Sequence, residues 1–278
     1  HGPDMDSDMG SGMDSGMDSG MDDAPRFASF VALGDSFTEG MSDARPDGTY
    51  RGWADLLAQR LATRTPGFTY ANLAVRGKLI GQIAQDQVPV AAGMGAELVS
   101  LVGGLNDVLR PRCDLDRVCA LLEHCVAELA PNCKQLVLMR SPGRRGPVLE
   151  RYRGRLERLF AFIDELGDRY GALVIDLFSS QALGDPRLWA EDRLHLTAEG
   201  HRRVAEAVWQ QLGLPARFDW DEPLPEPAPV GWYARRSADL RFVRQHLLPW
   251  IGRRLTGRSS GDGRAPKRPR LAPPVWEE

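Results

Sequence analysis

An α/β fold, a three-layer α/β/α sandwich around a parallel sheet, is predicted by two observations. Five short β-rich runs alternate with five helical patterns along the chain, as strand–helix–strand units require. The strand candidates are also continuous apolar runs, such as Leu98-Val99-Ser100-Leu101-Val102 and Leu136-Val137-Leu138-Met139. Strands covered on both faces read that way, whereas half-exposed strands alternate.

The elements follow in order. Residues 1–27 repeat Met-Asp-Ser-Gly units without apolar periodicity, so they read as an acidic tail, disordered or tag-like. The chain starts with His1, consistent with processing or an expression scar. Residues 28–215 form one domain-sized unit with room for a sizeable core. Within it, strands are predicted at 29–34, 68–73, 97–103, 135–140 and 172–177, and helices near 50–63, 78–86, 114–130, 148–170 and 197–212. The pattern is clearest at 148–170, where Leu149, Tyr152, Leu156, Leu159, Ile163, Leu166 and Tyr170 fall on one stripe between arginines and glutamates. Residues 216–278 hold a proline-rich acidic strap from Asp219 to Val230, a helix from Tyr233 to Leu255 broken or kinked at Pro249, and a basic tail.

A net charge of −3 gives no reason to expect a nucleic-acid partner, and no run of 18 apolar residues is present to span a membrane. The polarised ends read either as solvated tails or as docking segments, and Arg264–Arg270 resembles a localisation signal. Cys119 and Cys125 fall on the apolar side of the 114–130 helix with Leu115, Val118, Leu122, Val126 and Leu129. The four cysteines read as thiols, with a short Cys113–Cys119 bridge as the alternative, and the chain is expected to be cytoplasmic. Neither a P-loop, a dinucleotide fingerprint nor a cluster of metal ligands occurs, so no cofactor and no metal are expected.

Four segments that follow predicted strands carry chemistry. Gly34-Asp35-Ser36 ends strand one at a sharp turn and places a serine at the carboxyl end of the sheet, where such folds bind ligands. Asn72 to Gly77 ends strand two, with a glycine that lets a backbone N–H approach a developing oxyanion. Gly103-Gly104-Leu105-Asn106-Asp107 ends strand three and offers the Asn106 amide. Asp192-Arg193-Leu194-His195 spaces a carboxylate so that it can hold the imidazole Nδ1, leaving the other nitrogen for a serine proton. His1, His124, His201 and His246 have no aspartate so placed. Arg76 and Lys78 beside Gly77 read as solvated cations or as a bias toward anionic substrates, and the Arg140–Arg145 loop leaves the same choice open. Gly257-Arg258-Ser259-Ser260-Gly261 fits G-x-S-x-G but lacks the preceding strand of a nucleophile elbow, so it is read as chance.

Together the four segments resemble, in order, the four blocks of the SGNH (GDSL) serine hydrolases, over about Phe30 to Val208. Phe37 stands where leucine is commoner, and Leu196 where proline often follows the histidine. The resemblance implies a flavodoxin-like sandwich with a five-stranded parallel sheet. It also implies Ser36 as nucleophile, His195 as base and Asp192 as its partner, with an oxyanion hole of the Ser36 and Gly77 N–H groups and the Asn106 side chain. The expected activity is hydrolysis of carboxylic esters with short acyl groups, on a small-molecule, glycan or lipid ester, because no long apolar lid is visible. Two alternatives stand beside it: acyl transfer on the same triad, and a non-catalytic interaction protein acting through its tails.

Overall fold

A computed structural model describes residues 23–276; residues 1–22, most of the acidic tail, lie outside the described residues. Five parallel strands form the sheet's body: β1 (Ser29–Gly34), β2 (Thr69–Asn72), β3 (Leu98–Val102), β4 (Gln135–Arg140) and β5 (Leu173–Asp176). Each lies inside its predicted run. The strand order is β5-β4-β3-β1-β2-β6, so the chain reverses direction of growth between β1 and β3. That reversal opens a crevice at the carboxyl ends of those two strands.

Successive side chains of a strand point to opposite faces, and β1 shows how this builds two cores. Phe30 and Ala32 face Trp53, Leu57, Val204 and Val208, on the helices Gly52–Ala62 (α2) and Ala198–Gln211. Val31 and Leu33 face the other way, toward Ile80, Ile83, Val126 and Leu159 on Ile80–Asp86 (α3), Leu115–Leu129 and Pro147–Tyr170. All five predicted helices are present. A further helix, Val88–Met94 (α4), follows α3 after the single residue Gln87, where the sequence predicts no element.

The five-stranded expectation needs one correction. A sixth strand, β6 (Arg268–Ala272), pairs antiparallel with β2 at the sheet edge, in the stretch read as a basic tail. Pro269 is tolerated there because an edge strand can leave one side unpaired. Lys267, just before it, is half-buried and drives its ammonium into the body. It donates to the carbonyls of Glu39 (2.5 Å), Tyr50 (3.0 Å) and Arg51 (2.9 Å) and pairs with Asp55 at 3.1 Å. Part of the Arg264–Arg270 run is therefore a structural anchor.

Between the domain and β6 runs a C-terminal arm with helices Trp232–Phe242 and Leu248–Leu255, joined by a π-helical turn at Val243–Leu247. The break predicted at Pro249 is this turn. A proline has no N–H for the helical ladder and crowds the carbonyl four residues back, and a wider turn relieves both. All four cysteines are free, so the Cys113–Cys119 alternative is not formed; Cys125 is buried. Among the described residues no helix is long and apolar enough to cross a membrane.

Candidate active site

Ser36 opens a one-turn helix, Ser36–Glu39 (α1), directly after β1, capped by Asp35, whose side chain accepts the Phe37 N–H at 3.2 Å. The turn is tight enough to require glycine at position 34. Its φ is +152°, and a Cβ there would lie 2.4 Å from the Val102 carbonyl oxygen of β3. Gln87 locks the strand end from the other side: its amide donates to the Gly34 carbonyl and accepts the Gly34 N–H, both at 2.9 Å.

From the opposite end of the sequence, Asp192 and His195 arrive in the loop before helix Ala198–Gln211. His195 Nε2 lies 3.0 Å from Ser36 Oγ, and His195 Nδ1 lies 2.5 Å from Asp192 Oδ2. The other Asp192 oxygen accepts the backbone N–H groups of Leu194 (3.0 Å) and His195 (3.1 Å). Burial opposes charge on Asp192, but the His195 hydrogen bond, the imidazole's charge and those two N–H groups outweigh it. They hold the carboxyl below its usual value. Arg193 takes a left-handed backbone (φ +58°) to make the loop close. Its guanidinium reaches the arm, donating to Asp239 at 2.7 Å and covering the Phe242 ring at 4.4 Å.

Gly77 and Asn106 line the same cleft as Ser36 and His195. Among the described residues neither the Ser36 nor the Gly77 N–H donates a backbone hydrogen bond. The Asn106 amide donates to the Lys78 carbonyl at 3.1 Å and more loosely to Asp35 Oδ2 at 3.4 Å, which leaves the second N–H weakly held. Asp35 is buried, and burial raises its carboxyl to about 6 despite the Phe37 N–H and the nearby His195. Glu39 fixes the loop that carries Gly77, accepting the Arg76 N–H (3.2 Å) and Arg76 Nε (2.8 Å).

Sequence reasoning had not identified Gln87, Asp35 and Glu39 as supports, or the arm as a roof. Trp250, Arg253, Arg254 and residues 257–260 line the cleft above Ser36. The G-x-S-x-G look-alike belongs to this roof. A Cβ on Gly77 (φ +76°) would lie 2.0 Å from Ser259 Oγ, so glycine lets the arm seat there. Ser259 follows a helix, not a strand, and its Oγ accepts the Gly261 N–H at 3.2 Å. Of the flanking cations, Arg76 lines the cleft but is paired with Glu39 at 2.5 Å. In the 140–145 loop, Arg140 faces Asp164 (3.5 Å) and Asp176 (3.8 Å), and Arg145 donates to the Gln181 carbonyl at 2.7 Å.

Comparison with known proteins bears on the whole arrangement. The structure of LAE5, an alpha/beta hydrolase enzyme from the metagenome of Lake Arreo, Spain, is similar with a TM-score of 0.58 at 23% identity. The match covers 69% of this chain and 98% of that one. A catalytic mutant of Axe2, an acetylxylan esterase from Geobacillus stearothermophilus, gives a TM-score of 0.57 at 20% identity, covering 70% of this chain and 96% of that one. At these identities the likeness is one of fold. No curated protein sequence matches the chain. The profile of the GDSL-like Lipase/Acylhydrolase family, however, matches residues 32–203, more than half of the chain, a span that holds Ser36, Gly77, Asn106, Asp192 and His195. By that match the chain belongs to the GDSL-like lipase/acylhydrolase family and is an ester hydrolase of the SGNH type.

Proposed function

We propose that this enzyme hydrolyses short-chain carboxylic esters through an acyl-enzyme on Ser36, with His195 as general base and Asp192 as its orienting partner. The observation that carries the reading is the hydrogen-bonded row from Ser36 Oγ through His195 to Asp192, at 3.0 and 2.5 Å. Asp192 holds the proton on Nδ1, so Nε2 is the nitrogen that accepts. Ser36 Oγ attacks the ester carbonyl as its proton passes to His195 Nε2. The oxyanion draws on the Ser36 and Gly77 N–H groups and an Asn106 amide hydrogen. His195 then returns the proton to the departing alkoxide, and water, deprotonated in turn by His195, releases the acid.

The acyl preference is inferred from size. A chamber of about 90 Å³ adjoins Ser36, walled by Phe37, Val102, Leu109, Pro142 and Trp189. That is room for an acetyl or similarly small group, and acetyl esters are what the fold's neighbour Axe2 is named for. One observation favours a second reading. The chamber shares Leu105, Leu109, Pro142 and Trp189 with an apolar cavity of about 230 Å³ that reaches Tyr152, Phe160 and Phe242. A longer acyl chain would extend into it.

Turnover of a graded nitrophenyl ester series by wild type and Ser36→Ala tests both. Activity highest on acetate, falling with chain length and lost in Ser36→Ala, is expected. A maximum at medium chains selects the second reading, and activity that survives Ser36→Ala refutes the nucleophile.

A further inference from the structure

Two chambers of unlike chemistry meet at Ser36 and His195. The small one is walled mainly by apolar side chains, with Asp35, Asn106, Ser141 and His201 among its polar lining and no arginine or lysine. The larger cleft, about 520 Å³, is lined by Arg76, Arg110, Arg112, Arg253, Arg254 and Arg258, and by no aspartate or glutamate. Arginine in place of lysine says little in a chain with three lysines. The exclusion of carboxylates says more, because acidic residues are nearly as numerous as basic ones among the described residues. A surface with no charged ligand to meet mixes the two signs.

Arg76 is neutralised by Glu39. The other five form no ion pair among the described residues. Arg254 is the most constrained. Its guanidinium stacks over Trp250 at 4.6 Å, and its Nη1 is buried without a hydrogen-bond partner. Burial pushes it below the usual arginine value, and the neighbouring Arg110 charge adds to this. Asp107, whose field opposes the shift, is held by the Ile80 N–H at 2.9 Å. The facing loop is braced as well: Arg155 donates to the carbonyls of Val108 (3.0 Å), Arg110 (2.8 Å) and Pro111 (3.2 Å), fixing the stretch from which Arg110 and Arg112 project. Two segments far apart in sequence thus bring like charges together over a serine, at a cost that a bound anion would offset.

We propose that the large cleft binds an anionic group, a phosphate, sulfate or carboxylate, on the alcohol portion of the ester, while the small chamber takes the acyl group. This rests on the ester-hydrolase reading of Ser36. The planar fork of arginine suits such groups, which accept two parallel hydrogen bonds. The C-terminal arm, contributing three of the six arginines, is then part of the substrate site.

The test compares kcat/KM for release of acetate from 4-acetoxybenzoate and from the uncharged 4-acetoxybenzamide, which share acyl group and ring. Wild type should favour the anion by about tenfold or more. The ratio should fall toward one in Arg110→Gln/Arg254→Gln, in the arm-surface pair Arg253→Gln/Arg258→Gln, and on addition of salt. A second arm measures binding of phenyl phosphate, phenyl sulfate and benzoate to Ser36→Ala by calorimetry, and the tightest of the three identifies the group. Ser36-dependent hydrolysis with no anionic preference and no binding of the three anions overturns the inference and leaves the esterase standing. Binding that is lost in the arginine variants, with neither ester cleaved, keeps the anion site and overturns the ester chemistry assigned to Ser36.

Discussion

At Ser36 the balance turns on which groups are free to receive charge. Asn106 is held by the Lys78 carbonyl through one amide hydrogen, so the other is available to an oxyanion at the cost of a 3.4 Å contact with Asp35. Replacing Asn106 by alanine should therefore lower kcat by about 10²–10³ on a nitrophenyl ester with little change in KM. Asp192→Asn should cost roughly 10³–10⁴ in kcat, because the amide can stabilise the wrong imidazole tautomer. These residues were legible in the sequence because each sits in a short segment after a strand, with the glycines and Asx residues that sharp turns need. Gln87 and Glu39 were not. Their partners, Gly34 and Arg76, are 53 and 37 positions away, and nothing local marks either side chain as a support.

Helix Ala198–Gln211 is tied to the site by His201 at its first turn. His201 Nδ1 accepts the Trp53 N–H at 3.2 Å, and Nε2–H donates to the Met41 carbonyl at 3.1 Å, so the ring bridges α2 and the loop after α1 in its neutral form. Burial pushes its pKa down to about 4, against the Met41 bond and the Asp43 charge. The folded value is below the unfolded one of about 6.5. The stabilisation is thus complete above pH 6.5 and is lost as pH falls toward 4, on the order of 3 kcal/mol in all. Asp35 works in the opposite sense: its raised pKa of about 6 gives stability that is complete below its unfolded value of 3.8 and is lost as pH rises through 6. Denaturant unfolding of wild type and His201→Gln across pH 4–7 separates the two. The gap between the proteins should narrow on acidification, and a constant gap would contradict the assignment. The five predicted helices were legible because each carries its own apolar stripe. Helix α4 was not, because the seven residues Val88–Met94 are short, hold a proline and a glycine, and carry no extended apolar stripe of their own.

Over the whole molecule, the arm is anchored at its far end by Lys267 on the buried Asp55, which also pairs with Arg45. Lys267 satisfies three carbonyls and Asp55, and Tyr70 OH also donates to Asp55, at 2.7 Å. Lys267→Met should destabilise the protein by less than the ~3–5 kcal/mol of an orphaned buried charge, because Asp55 loses Lys267 but keeps Arg45 at 3.2 Å. The same variant should weaken the seating of Ser259 over Gly77, read as faster proteolysis between Leu255 and Arg264. Unchanged proteolysis alongside the lost stability would show that the roof is held independently. The parallel sheet could be read from the sequence because each of β1–β5 is a self-contained apolar run. β6 could not. Arg268-Pro269-Arg270-Leu271-Ala272 has neither alternation nor an apolar run, and it becomes strand only by pairing with β2. The covering of the cleft by residues 250–260 was hidden for the same reason, since it depends on contacts across most of the chain.

The assignment of Ser36 as nucleophile is tested most directly by labelling the full chain with a fluorophosphonate and locating the adduct by mass spectrometry. The account predicts one label per chain, on Ser36, strongly reduced in His195→Ala. A label on Ser259, or none on a protein that still cleaves esters, would contradict it.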